Sequence, residues 1–453
     1  MSESLLSYDN YQEEYNSKCQ EWRAEPVTDR RCNDIAYVVV FFVIFGGFLG
    51  LGGYYLSQEG TIDVKTDTAI SEHWITIVLA LLASMVLAFI YIMLVRIMPR
   101  VMVYTLMVLS LALLLGGAIL GFATGNLGIA IPCLVIFLVY TLVLVCLRSK
   151  IKLGIVLIQV AAQFLKERAS VFLTPVLKVL LSFVFTVLWL ITLSSIMRMS
   201  DDKERRGEDT TMETVVMVVW VFVYLLVSLL LYYMMVFAIA TACAYWYYNV
   251  QNGNPILTSY KWIFTSAFGS LVFGAVLVAV VRLARLLINS GRRNTRNIPA
   301  AICLCLISCC LRNLEHLLKI LNHNAVIVMS VTGENYINSA KTTIGILSRF
   351  LPLLSVADII TGLLVFWGIV IIAGITGFGA WLFTEAKGGD LTEVMIITVL
   401  GSIMVSSLVL SVLVEAMSAV FIFYCFDVRF RELGYGGHNM PPEIIDALNG
   451  YVK

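Results

Sequence analysis

The stretch TVVMVVWVFVYLLVSLLLYYMMVFAIATACAYWYYN, residues 214–249, contains no Asp, Glu, Lys or Arg. A helix crosses the hydrocarbon core of a bilayer in about 20 apolar residues, so this block is long enough to cross with turns to spare. Hydrocarbon supplies no water for backbone N–H and C=O groups, and a helix satisfies all of them within one segment. A strand barrel would instead show short segments of alternating polarity. Eight more blocks lack the same four residue types: 35–56, 74–95, 101–122, 127–147, 179–196, 262–281, 359–383 and 394–414. The whole chain of 453 residues is 60% hydrophobic and 13% charged, with mean hydropathy +0.89. Soluble domains carry about 25% charged residues. The fold expected is all-α: a polytopic transmembrane helical bundle of about ten spans.

Polar residues set the layout. The first 33 residues read as a polar tail, and block 35–56 is too long for the hydrophobic region of a signal peptide. Lys18, Arg23, Arg30 and Arg31, then Arg96 and Arg100, then Arg148, Lys150, Lys152, Lys166 and Arg168, fall on one side if the first four blocks each cross once. Basic residues favour the cytosol, which places the N-terminus there. The link at 57–73, with Glu59, Asp63, Asp67 and Glu72 against Lys65, suits the outer face. Single crossings would put Arg292, Arg293 and Arg296 outside, against the rule. Either the helix through Arg282 and Arg285 is long and folds back, or 151–165 also crosses. At 14 residues, the run 151–164 reads better as an interfacial amphipathic helix.

One segment is unlike the rest. Residues 299–348 are apolar overall yet include Arg312, Glu315, His316, Lys319, His323, Glu334 and Lys341. Within them Thr332, Gly333, Glu334 and Asn335 separate two apolar helical stretches, which predicts a broken helix. At membrane depth such breaks are tolerated where they face protein or water, and transporters place binding sites there. The transmembrane domain is then 34–428, with spans near 35–56, 74–95, 101–122, 127–147, 171–197, 214–249, 262–288, 300–348 (broken), 357–384 and 392–426. A C-terminal cytosolic tail follows at 429–453. No internal repeat is visible.

Motifs of soluble catalysis are missing: no phosphate-binding GxxxxGK[ST], no GxSxG and no HExxH. The chain does not read as an enzyme, and no cofactor or metal is expected. A net charge of +1 gives no sign of a nucleic-acid partner. Cys303, Cys305, Cys309 and Cys310 cluster without zinc-ligand spacing and read as reduced thiols near an apolar helix. Aromatic residues are more informative. Trp220 and Tyr224 share one helix face at i, i+4, and Trp246 lies in the run Tyr245–Tyr248. These are belt or packing residues, or ring contacts for a quaternary ammonium. Each such contact is worth roughly 0.5–2 kcal/mol, and micromolar to millimolar affinity needs about 4–8 kcal/mol. Several rings and a carboxylate would be required. Glu415 follows an uncharged block and is followed by apolar residues, and Glu334 sits at the break. A carboxylate at such depth is a functional candidate by default, with a buried pair such as Glu334 and Lys341 as the structural alternative. Asn335, Tyr336 and Ser339 would supply polar lining.

Several motifs resemble the choline transporter-like family of solute carriers. The run from Arg148 to Ile155 followed by Pro175 is similar to the family's basic stretch and proline. Gly269-Ser-Leu-Val-Phe-Gly274 resembles its GSLAFG signature. Cys309-Cys-Leu-Arg-Asn-Leu-Glu315, then Leu321-Asn-His-Asn-Ala325, then Gly333-Glu-Asn-Tyr-Ile-Asn-Ser-Ala-Lys341 resemble CCxxCLE, FLNRNAY and GxxFCxSA. Asn313, Ile337 and Val326 depart from that pattern. The short link after the first span is closer to fungal and protist members than to vertebrate ones. The resemblance, over about residues 130 to 430, implies ten helices, cytosolic tails and sodium-independent carriage of choline or ethanolamine, facilitative or proton-coupled. Partners would be a choline-like cation, membrane lipids and other membrane subunits. The plasma membrane is the expected location, with organellar membranes, mitochondrial included, as the alternative. A non-transporting accessory or scaffold subunit is the competing function.

Overall fold

A computed structural model describes residues 26–28, 30–58, 68–146, 148–250, 253–294, 298–385 and 391–432. The N-terminal tail through residue 25, the acidic link at 59–67 and the C-terminal tail from 433 lie outside the described residues. Among the described residues the chain is helix and turn, without strand. In order the helices are α1 (Ile35–Gln58), α2 (Thr68–Ile97), α3 (Pro99–Ala123), α4 (Leu127–Cys146), α5 (Arg148–Glu167), α6 (Leu173–Arg205), α7 (Thr211–Tyr247), α8 (Pro255–Trp262), α9 (Phe268–Asn294), α10 (Ile298–Thr332), α11 (Tyr336–Glu385) and α12 (Leu391–Glu432). A π turn, Ile263–Ala267, joins α8 to α9. Nine segments among the described residues are long and apolar enough to cross a membrane, including Thr211–Tyr247, Pro255–Arg292, Leu353–Leu382 and Met395–Arg429. The protein is an all-α polytopic membrane protein.

The chain divides into two compact units. The first holds Met1–Val64 and Leu173–Ile346. Its centre is α7, where Phe237, Ala238, Ile239, Ala242 and Ala244 are fully buried. Helix α1 approaches α6 and α7 closely at Gly52, where a Cβ would lie 3.0 Å from Thr192 and 3.5 Å from the Trp220 ring. Small residues allow this approach where helices have no hydrophobic drive to associate.

The second unit holds Lys65–Phe172 and Leu347–Lys453. Its helices are tied by polar contacts across apolar surroundings: Tyr91 donates to the Leu364 carbonyl at 2.7 Å, and Trp367 donates to Ser110 at 2.8 Å. Gly121 on α3 meets the α4 backbone, so a Cβ there would stand 2.8 Å from the Ala130 nitrogen. The run expected at the membrane interface, now α5, turns its apolar face to protein. Leu157, Ile158, Val160, Ala161 and Phe164 are fully buried, and α5 packs on α2 and α12.

The break after Thr332 is present, but it divides the chain differently from expectation. The second half of the interrupted segment is not a separate stub before the next span. It opens the 50-residue helix α11, which runs on through that span. Residue 348, the expected end of that segment, is helical, and the helix also runs on through Pro352, which lacks a backbone donor. The first half, α10, is 35 residues long, or about 52 Å at 1.5 Å per residue. With Arg312, Glu315 and Lys319 along it, α10 is not among the nine apolar segments.

Candidate functional site

Stopping one helix and starting another leaves up to four carbonyls and four N–H groups without partners. Local chemistry satisfies some of them. Gly333 has φ +67°, and its N–H closes back on the Met329 carbonyl at 3.0 Å. Glycine in this left-handed conformation is a common helix stop. Asn335 then caps α11, accepting from the Asn338 N–H at 3.0 Å through Oδ1. Glu334 donates its N–H to Thr332 Oγ1 at 3.1 Å.

The remaining groups are met by a segment some 300 residues earlier in the chain. Val27 N–H donates to the Val331 carbonyl at 3.0 Å. Arg30 donates to the Ser330 carbonyl at 2.7 Å and to the Met329 carbonyl at 3.5 Å. Asn33 Nδ2 donates to the Gly333 carbonyl at 2.9 Å. Asp34 Oδ2 accepts from the Tyr336 N–H at 3.2 Å and from Ser270 Oγ at 2.5 Å. The charges match the helix dipoles: a cation on the carbonyl end of α10, a carboxylate on the N–H end of α11. Gly269 makes room for this return, since a Cβ there would collide with the Asn33 and Asp34 carbonyls.

Arg30 also lies on aromatic surface. Its Cζ stands 3.6 Å from the centroid of the Trp262 ring and 5.9 Å from that of Phe237. Below the break, Tyr336 donates to Asn322 Oδ1, and Asn322 donates to the Gly274 carbonyl at 2.7 Å and lies 3.5 Å from the Tyr233 hydroxyl. Ser339 is fully buried, and its hydroxyl has no hydrogen-bond partner among the described residues. Glu334, Asn335, Tyr336 and Ser339 therefore do gather at the break.

The aromatic residues expected to form a cage do not meet. Trp220 is fully buried in helix packing: its Nε1 donates to Thr192 Oγ1 at 2.9 Å, Phe48 lies 4.8 Å from it centre to centre, and Trp189 donates to its carbonyl at 2.9 Å. Tyr224 lies 4.7 Å from Trp189 and 6.2 Å from Phe185, between ring centres. Trp246 is 26 residues beyond Trp220 along α7, about 39 Å by helical rise. One small cation cannot touch both ends. Glu415, 5% exposed on α12, belongs to the second unit.

Sequence reasoning passed over Trp262, Arg30, Asn33 and Asp34. The signal available was a polar run, Arg30-Arg31-Cys32-Asn33-Asp34, abutting the first span with no turn residue between. It also passed over Glu315, a buried carboxylate 2.8 Å from Arg285, 2.6 Å from Lys319 and 3.9 Å from Arg282. The cysteine cluster lies on α10 as unbridged thiols, and no group of three metal-ligating side chains occurs among the described residues. An apolar cleft of about 330 Å³ in the second unit is lined by Leu79, Ala83, Leu87, Ile375 and Ala380, and no charged residue lines it.

Comparison with known proteins covers the break itself. The family described as "Plasma-membrane choline transporter" matches residues 131–429. The chain belongs to the choline transporter-like family. It is 29% identical over 188 residues to choline transporter-like protein 5-A of Danio rerio, covering 39% of this chain and 27% of that protein. It is 33% identical over 158 residues to choline transporter-like protein 4 of Rattus norvegicus, covering 34% and 22%. The human protein 4 is 31% identical over the same length. The matches thus span about a quarter of the length of these relatives. Gly333, Trp262 and α10 fall inside the family region, while Val27–Asp34 precedes it.

Proposed function

We propose that this chain carries choline or a related small organic amine, ethanolamine included, across the plasma membrane by alternating access, in a facilitative or proton-coupled mode. The observation that carries the reading is the helix interrupted at Gly333, within the region matched to the family. Discontinuous helices concentrate backbone carbonyls and N–H groups at one place, and secondary carriers bind substrate and coupling ions there. Asn322, Tyr336 and Ser339 add buried polar groups around it.

The test is uptake of labelled choline by purified protein in liposomes, with and without an imposed pH gradient. Saturable uptake above that of empty liposomes is expected, and excess unlabelled ethanolamine should compete. Uptake equal to that of empty liposomes under both conditions would sink the carrier reading and leave the accessory-subunit reading in its place.

A further inference from the structure

We infer that the Trp262 ring and the carbonyl end of α10 form a binding site for a compact alkanolamine cation, and that Arg30 fills this site in the present conformation. The inference rests on the carrier reading and gives its substrate a location.

The argument begins with how Arg30 is held. Its guanidinium stacks on Trp262 at 3.6 Å, with Phe237 within cation–π range at 5.9 Å. Two carbonyls at the negative end of a helix dipole accept from it, at 2.7 and 3.5 Å. Among the described residues no carboxylate pairs with it. Arg30 is half-buried, and a charge withdrawn from water is ordinarily paired with an opposite charge. Here rings and helix-end carbonyls carry that role, as in sites that hold organic cations and let them go. Burial lowers the Arg30 guanidinium to about 9, with Tyr245 opposing the shift, so the group stays charged at neutral pH.

A plain structural cap is the competing explanation, and two observations weigh against it. Gly333 already returns its own N–H to Met329, so part of the capping is local. The receptor surface is also separable from its occupant. Phe237, Trp262, Met329, Ser330 and Gly333 all lie within the family-matched residues 131–429, and Arg30 lies before them. Arg30 is borne on a stretch whose described residues, 26–28 and 30–34, are not helical; besides the hydrogen bonds given above, the Asn33 N–H donates to the Ser266 carbonyl at 3.1 Å. Such a segment can leave without unfolding a helix.

The chemistry of the site selects its ligand. A ring face accepts a methylated or a free ammonium. The two carbonyls require a donor, which a guanidinium supplies through N–H. Choline supplies it through its hydroxyl, and ethanolamine through hydroxyl and ammonium. Tetramethylammonium has no donor, and betaine brings a carboxylate to the negative end of a helix. Both should bind less well than choline.

Equilibrium binding of labelled choline to the purified full-length chain tests this. Trp262→Ala should weaken binding at least tenfold, and Arg30→Gln, which removes the internal competitor, should tighten it severalfold. Unlabelled betaine and tetramethylammonium should compete at least tenfold less effectively than choline. An unchanged affinity in Trp262→Ala, or an unchanged or weaker affinity in a folded Arg30→Gln protein, would overturn the inference. If either variant does not fold, hydrogen exchange of the unaltered protein decides. Saturating choline should speed exchange at the Val27 and Asn33 amides, and betaine should not. No choline-dependent change there would overturn the inference. Liposomes that take up choline while Trp262→Ala transports normally would sink this site and leave the carrier reading standing.

Discussion

A residue with a Cβ at position 333 would face two separate costs. At φ +67° the side chain is strained by its own backbone, and an ideal Cβ would stand 3.1 Å from Arg30 Cγ. Gly333→Ala should therefore lower stability by about 1–2 kcal/mol. Gly46→Ala on α1 is the control: nothing lies within 4 Å of its Cβ position, and its midpoint of thermal unfolding should not fall. Equal midpoints for the two variants would contradict this account of the break. Trp220→Phe should cost about 1–2 kcal/mol, from the lost bond to Thr192 and imperfect filling of a fully buried site, without changing choline affinity. A parallel fall in affinity, measured by equilibrium binding, would place Trp220 back at the substrate. At this scale the sequence was readable where the signal was local. Thr332, Gly333, Glu334 and Asn335 concentrate helix-stopping side chains in four positions. Arg30 and Asp34 were not readable, because their partners lie some 300 residues away and no periodicity links the two.

Helices follow from long apolar blocks because hydrocarbon permits little else, and among the described residues the uncharged blocks are almost wholly helical. What the blocks did not show is where each helix ends. The expected end of the broken segment is 348, but a helix accepts Ser348 and Arg349 at exposed positions, and α11 continues through them and through Pro352. Nor does an amphipathic pattern say whether its apolar face meets lipid or protein, and α5 meets protein. The α9–α10 pair makes a separate prediction. Glu315 is 3% exposed and serves Arg282, Arg285 and Lys319, two of which remain about two-fifths exposed. Replacing it by Gln leaves three cations facing one another without their anion. Full burial would make that loss about 3–5 kcal/mol, and the partial exposure of the partners reduces it to about 2 kcal/mol. Thermal unfolding of Glu315→Gln in low salt should show the loss, and added salt should recover part of it. No recovery would mean that packing, not charge, sets the stability of this pair.

Among the described residues, two of the places where charge is buried bear on transport: the interrupted helix of the first unit and Glu415 of the second. A carrier driven by protons needs one group for the organic cation and another that takes up and releases a proton, or one group that does both in turn. The rings and carbonyls that hold the cation at the break do not titrate in the physiological range, so the proton step falls to a carboxylate, and Glu415 is the candidate. Glu415 is 5% exposed on α12 and is followed by the fully buried Ala416 and Met417, within the apolar segment Met395–Arg429, where an ionisable side chain is a functional candidate by default. Glu415→Gln keeps the shape and removes the proton. If Glu415 couples the gradient, the ratio of choline uptake with a pH gradient to uptake without one should fall from above one to one, while gradient-free exchange of labelled for unlabelled choline persists. A ratio unchanged by the substitution would remove Glu415 from the coupling step. Loss of exchange along with the ratio would instead mean that the carboxylate supports the transport cycle itself, so the two measurements must be made on the same preparation.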